Sequence, residues 1–113
     1  MLSTPQKNRV QLIRETALKY NNFKDCDVIQ DGINELAKAG ENENMGEVEK
    51  AISYIITGIE FRGGVKTAET IEKLAKEILN YRSLLSAIQS GNKVAQEYFN
   101  KEAEAGEQIC IIG

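Results

Sequence analysis

Residues 47–61 read "EVEKAISYIITGIEF", and the reading of this stretch decides the fold. Val48, Ile52, Ile55 and Ile59 recur at steps of four, three and four, which sets them on one side of a helix. Ala51, Tyr54 and Ile56 widen that arc until the helix is apolar nearly all round. Such a helix belongs at the centre of a bundle or in an interface between chains. The β-branched isoleucines also suit a strand. Length and the flanking glycines favour the helix, because strands seldom exceed about ten residues. Gly58 lets a neighbouring backbone come close.

Working towards the N-terminus, a loop is expected at "ENENMG", residues 41–46. It fails as a calcium loop. Setting Gly46 at the sixth position puts Met45 and Ile52 where oxygen ligands are needed. A helix over Asp25–Ala39 precedes it, capped by Asp25 or Asp27, with Ile29, Ile33, Leu36 and Ala37 as its apolar stripe. Gly32 lies inside that helix at a cost of up to about 1 kcal/mol relative to alanine, and Gly40 reads as its C-terminal stop. The first helix is expected to start with Thr4 as N-cap and Pro5 in the first turn. Val10, Ile13, Ala17 and Tyr20 form its inner stripe, and it should end near "YNNF", where two asparagines compete for backbone hydrogen bonds.

Towards the C-terminus, a long fourth helix is expected from Thr67 to about Ser90. Ile71, Leu74, Ile78, Tyr81, Leu85 and Ile88 keep a three-four spacing, a heptad seam. Ala68, Ala75, Leu79 and Leu84 broaden it, so the seam suits a monomer core and a dimer interface equally. A short fifth helix over Lys93–Ala105, with Val94, Tyr98 and Phe99 apolar, follows the break at residues 90–92. The tail "EQICIIG", residues 107–113, is apolar and β-like, and Ile109, Ile111 and Ile112 are candidate partner-binding residues. A prenylation box at Cys110 is disfavoured by the final glycine and the preceding acids. The expected architecture is one all-α domain over residues 1–113, a compact bundle of four to five helices with a short extended tail.

Chemistry is narrowed by what is missing. The 113 residues contain no histidine, so the usual neutral-pH base and the commonest zinc ligand are absent. Cys26 and Cys110 have no spacing that marks a metal site or a disulfide framework. Glu47 with Glu49, and Glu69 with Glu72, are close in sequence but sit where a solvated helix face puts carboxylates. The net charge of −3 argues against nucleic acid as a partner. Charge is unevenly distributed. Residues 1–24 carry Lys7, Arg9, Arg14, Lys19 and Lys24 against Glu15 alone, residues 41–60 carry five acids against Lys50, and residues 102–113 carry three acids and no cation, so the two ends have opposite signs. That polarity suits head-to-tail contacts or internal packing, or is simply a solvated surface. No signal core opens the chain and no stretch reaches the roughly 20 apolar residues of a membrane span, so a cytoplasmic location without membrane attachment is expected.

One turn has the parts of an anion cradle. In "EFRGGVKTAET", residues 60–70, Gly63 and Gly64 can turn backbone N–H groups outward, and the fourth helix begins beside them. Arg62 and Lys66 supply cations, Thr67 and Thr70 hydroxyls, and Tyr54 and Phe61 planar rings for stacking a base. The same residues also suit an ordinary stop, Thr67 serving as N-cap. No phosphate-loop motif is present. The expectation is a non-catalytic interaction or regulatory protein, without cofactor, that binds another protein and self-associates. The alternative is a binder of a nucleotide or other phosphate-bearing small molecule at residues 62–67.

Overall fold

The isoleucine-rich stretch is a helix, and the rest of the chain is arranged to cover it. The structure, a computed structural model, describes residues 2–24, 26–79 and 82–89. Its helices are α1 (Thr4–Lys24), α2 (Asp27–Glu41), α3 (Met45–Phe61) and α4 (Val65–Lys76). A further helix, α5, spans residues 82–89. The fold is an all-α bundle. Helices α1 to α4 run up-down-up-down, with α1 packed on α2 and α4 and barely touching α3, which lies diagonally across.

Helix α3 is the centre. Val48, Ile52, Ile55 and Ile59 are fully buried, and Ala51 and Ile56 nearly so. Its two buried hydroxyls stay satisfied within the helix: Ser53 donates to the Lys50 carbonyl (2.9 Å) and Thr57 to that of Ser53 (2.8 Å). Against α2 the contact is reciprocal. A Cβ on Gly32 of α2 would stand 2.7 Å from Ile55 Cγ1, and a Cβ on Gly58 of α3 would stand 3.1 Å from Ile29 Cγ1. Each helix thus offers an isoleucine and, three residues on, a glycine notch for the other's isoleucine. The antiparallel pair closes through the missing side chains, so Gly32 has a packing role beyond its cost to the helix.

Several boundaries differ from expectation. Ser3, not Thr4, caps α1: its Oγ accepts from Gln6 N–H (3.3 Å) while its own N–H donates to Gln6 Oε1 (2.8 Å), a reciprocal capping box. Helix α1 does end beside "YNNF", at Lys24, although both asparagines lie within it. Asn21 turns inward, and its Oδ1 accepts from Cys26 N–H (2.8 Å) at the head of α2. Cys26 holds the N-cap position there; Asp27 is the first helical residue, and Asp25 lies outside the described residues. Gly40 does not stop α2, which continues to Glu41. The loop shrinks to residues 42–44, and Asn44 caps α3 by accepting from Glu47 N–H (3.2 Å).

The largest difference concerns the fourth helix. It starts at Val65 with Gly64 as N-cap and ends at Lys76, not near Ser90. The chain tightens there, with Glu77 N–H on the Leu74 carbonyl and Ile78 N–H on that of Ala75, and α5 folds back along α3. The cause is the all-round apolarity of α3. A straight continuation would carry the heptad into water and leave one side of α3 bare. Folded back, Leu84 is buried with Ala87, alongside Ile78 and Leu79 at the bend. The fifth helix expected at residues 93–105 and the tail 107–113, with Ile109, Ile111 and Ile112, lie outside the described residues. Among the described residues, no helix is long and apolar enough to cross a membrane.

The N-terminus is tied to the α2–α3 turn by Glu43, whose Oε1 accepts from Leu2 N–H (3.2 Å) and pairs with Lys7 (3.4 Å). The Leu2 hydrogen bond, then Lys7, hold the Glu43 carboxyl below its usual range. A depressed folded-state pKa contributes stability above the unfolded value and loses it as pH falls through the folded value. We expect the melting-temperature difference between wild type and Glu43→Gln to be small, present at neutral pH and lost only as pH falls below the usual carboxylate range. A difference that grows on acidification would contradict this.

Candidate functional site

The turn at residues 62–64 is built first as a helix stop. Gly63 takes φ +84°, a conformation open to glycine. Its N–H donates to the Glu60 carbonyl (2.9 Å) and that of Gly64 to the Ile59 carbonyl (2.9 Å). This double closure is the Schellman arrangement, and it engages both glycine N–H groups inside the turn. Gly64 sits against α1: a Cβ there would fall 2.6 Å from the Tyr20 ring and 2.7 Å from Ile59 Cγ2. The Tyr20 hydroxyl donates to the Arg62 carbonyl (3.4 Å), and burial holds that phenol above its usual pKa against the opposing pull of Arg62.

The other members of the sequence-derived cradle are placed as follows. Lys66 is exposed on the first turn of α4, Thr67 is partly buried within that helix rather than capping it, and Thr70 donates its hydroxyl to the Lys66 carbonyl (3.1 Å). Tyr54 lies between α2 and α3 in a cleft with Asp31, Gly32, Glu35, Glu47 and Lys50, where burial and Asp31 raise its pKa. Phe61 lines a different cleft. The two rings are therefore not brought together, and neither cleft is lined by Arg62, Lys66 or Thr67. For an anion, the turn offers the first-turn N–H groups of α4 and the Lys66 ammonium.

Two other features stand out. The first is the cleft holding Phe61, of about 430 Å³, between α3, α4 and α5. Ile56, Leu85 and Ile88 supply its apolar side, and Thr57, Glu60 and Glu72 its polar side. Desolvation, and then the charge of Glu72, raise the Glu60 pKa. Lys76 pairs with Glu72 at 3.7 Å, one turn on along α4, but no cation lines the cleft itself among the described residues. The second feature is the outer side of α1. Leu12 and Phe23 are 44% and 84% exposed, and with Thr16 and Lys19 they follow the i, i+4, i+7, i+11 spacing of one helical stripe. Their signal in the sequence is two apolar side chains that share a face outside the stripe of Val10, Ile13 and Ala17.

Among the described residues, no group of three or more acids and cysteines is placed to hold a metal ion. Comparison with protein-family models, with curated proteins and with solved structures gives no match to the chain.

Proposed function

We propose that the chain is a non-catalytic interaction protein that works by docking another protein on the outer stripe of α1. The observation that carries this reading is Phe23, 84% exposed, on a helix whose inner stripe already fills the core. A single exposed apolar residue is ordinary. Phe23 and Leu12 lie together on one stripe, and exposed aromatic side chains are enriched where protein interfaces form. Holding a partner in this way requires no base, nucleophile or cofactor. The apolar tail residues Ile109, Ile111 and Ile112 remain part of the proposal as a second contact. The phosphate-ligand alternative draws less support, because the turn's glycine N–H groups are engaged in closing α3 and its two rings line separate clefts.

The test compares the wild type with the double variant Leu12→Asp/Phe23→Asp as bait in native lysate. Both residues face solvent, so thermal stability should be nearly unchanged. The wild type should retain at least one protein that the variant loses, with recovery reduced by about tenfold or more. The same co-purifying proteins in equal amounts with both baits would sink the reading.

A further inference from the structure

We propose that one partner of the α1 stripe is a second copy of this chain, whose acidic α3–α4–α5 cleft receives it. The proposal rests on the interaction reading above and names its partner. The argument is charge complementarity on apolar ground. The cleft joins Ile56, Phe61, Leu85 and Ile88 to two carboxylates, Glu60 and Glu72; desolvation, then the charge of Glu72, disfavours the charged form of Glu60. Its chemistry calls for an apolar body carrying a cation. The α1 stripe offers that combination: Phe23 and Leu12 flank Lys19, which is exposed and has no carboxylate within ion-pair distance among the described residues. Glu72 already pairs with Lys76, so Lys19 would serve Glu60, for which no cation stands within ion-pair distance among the described residues, while Phe23 would cover Leu85, which is 46% exposed.

Geometry fixes the kind of assembly. Helix α1 lies diagonally across the bundle from α3, and the cleft opens on the α3 side. Stripe and cleft therefore occupy different faces, and each molecule keeps one of each unused after a single contact. Such a heterologous contact propagates into a ring or an open chain instead of closing as a twofold dimer.

Sedimentation velocity on the purified full chain tests this. The wild type should form species beyond the dimer as concentration rises and shed them as salt is raised. Phe23→Asp blocks the stripe and leaves the cleft; Leu85→Asp blocks the cleft and leaves the stripe. Each variant alone should be monomeric, with its self-association weakened by about tenfold or more. An equimolar mixture should give a 1:1 dimer and nothing larger, since only one stripe–cleft pair remains. Both positions are substantially exposed, and matching helical circular dichroism would confirm that the variants are folded. A wild type that stays monomeric would overturn the proposal. So would oligomers that persist in Phe23→Asp, or a mixture that stays monomeric. Occupation of the cleft by residues 93–113 of the same chain would appear as the monomeric wild type. If that monomer still loses its lysate partner in Leu12→Asp/Phe23→Asp, self-association fails while the interaction reading stands.

Discussion

Gly32→Ala should destabilise the bundle by about 1–2 kcal/mol, although alanine is the better helix former. Two effects oppose each other. Helix propensity favours alanine by up to about 1 kcal/mol. Against it, the new methyl would stand 2.7 Å from Cγ1 of Ile55, a side chain with no exposure. Cγ1 is next to the branch point rather than at a flexible tip, so relief means moving α2 away from α3. Overpacking of this kind costs about 1–3 kcal/mol. The urea midpoint should fall with little change in slope. In an Ile55→Ala background the same substitution should cost little or nothing, because the atom it strikes is gone; the coupling between the two sites should be about 1–3 kcal/mol. A Gly32→Ala chain more stable than wild type would mean that α2 and α3 yield easily, and that the reciprocal isoleucine–glycine contact is not what sets their spacing.

Ile52→Ala should do more. Ile52 is fully buried at the middle of α3, which packs against α2 and α4. Losing the larger side chain removes transfer free energy and leaves a cavity that surrounding helices can only partly collapse, about 2–5 kcal/mol in total. Small domains hold about 5–15 kcal/mol, so the variant would stand near the edge of folding at physiological temperature. Calorimetry or thermal circular dichroism measures this directly. A loss below about 1 kcal/mol would show that the centre of the core lies elsewhere.

What the residues disclosed in advance depended on how local the deciding physics was. The helical reading of residues 47–61 follows from spacing, length and the flanking glycines, and the inner stripe of α1 from spacing alone. The heptad continuing past Lys76 misled for a tertiary reason. Ile78, Leu84 and their neighbours have the spacing of one long helix, but α3 needs cover on a side that only a reversed segment reaches. Caps misled by a single position, since Ser3 and Thr4 are both good caps and only Ser3 has glutamine three residues on. The candidate cradle at residues 60–70 named a real turn. Residue types could not reveal that both glycine N–H groups would be engaged in closing α3, or that Tyr54 and Phe61 would face different clefts. Leu12 and Phe23 were not legible as a surface stripe because apolar side chains are common on exposed helix faces and only burial shows which stay uncovered.

The fold-back of α5 also bears on how the chain comes to be made. Helices α1 to α4 are encoded before it, so the emerging polypeptide holds an isoleucine-rich surface without its last cover. At about 5–20 residues per second, synthesis of residues 77–89 takes on the order of one to three seconds. During that interval the nascent bundle presents to chaperones and neighbouring nascent chains a greasy face that the finished molecule conceals.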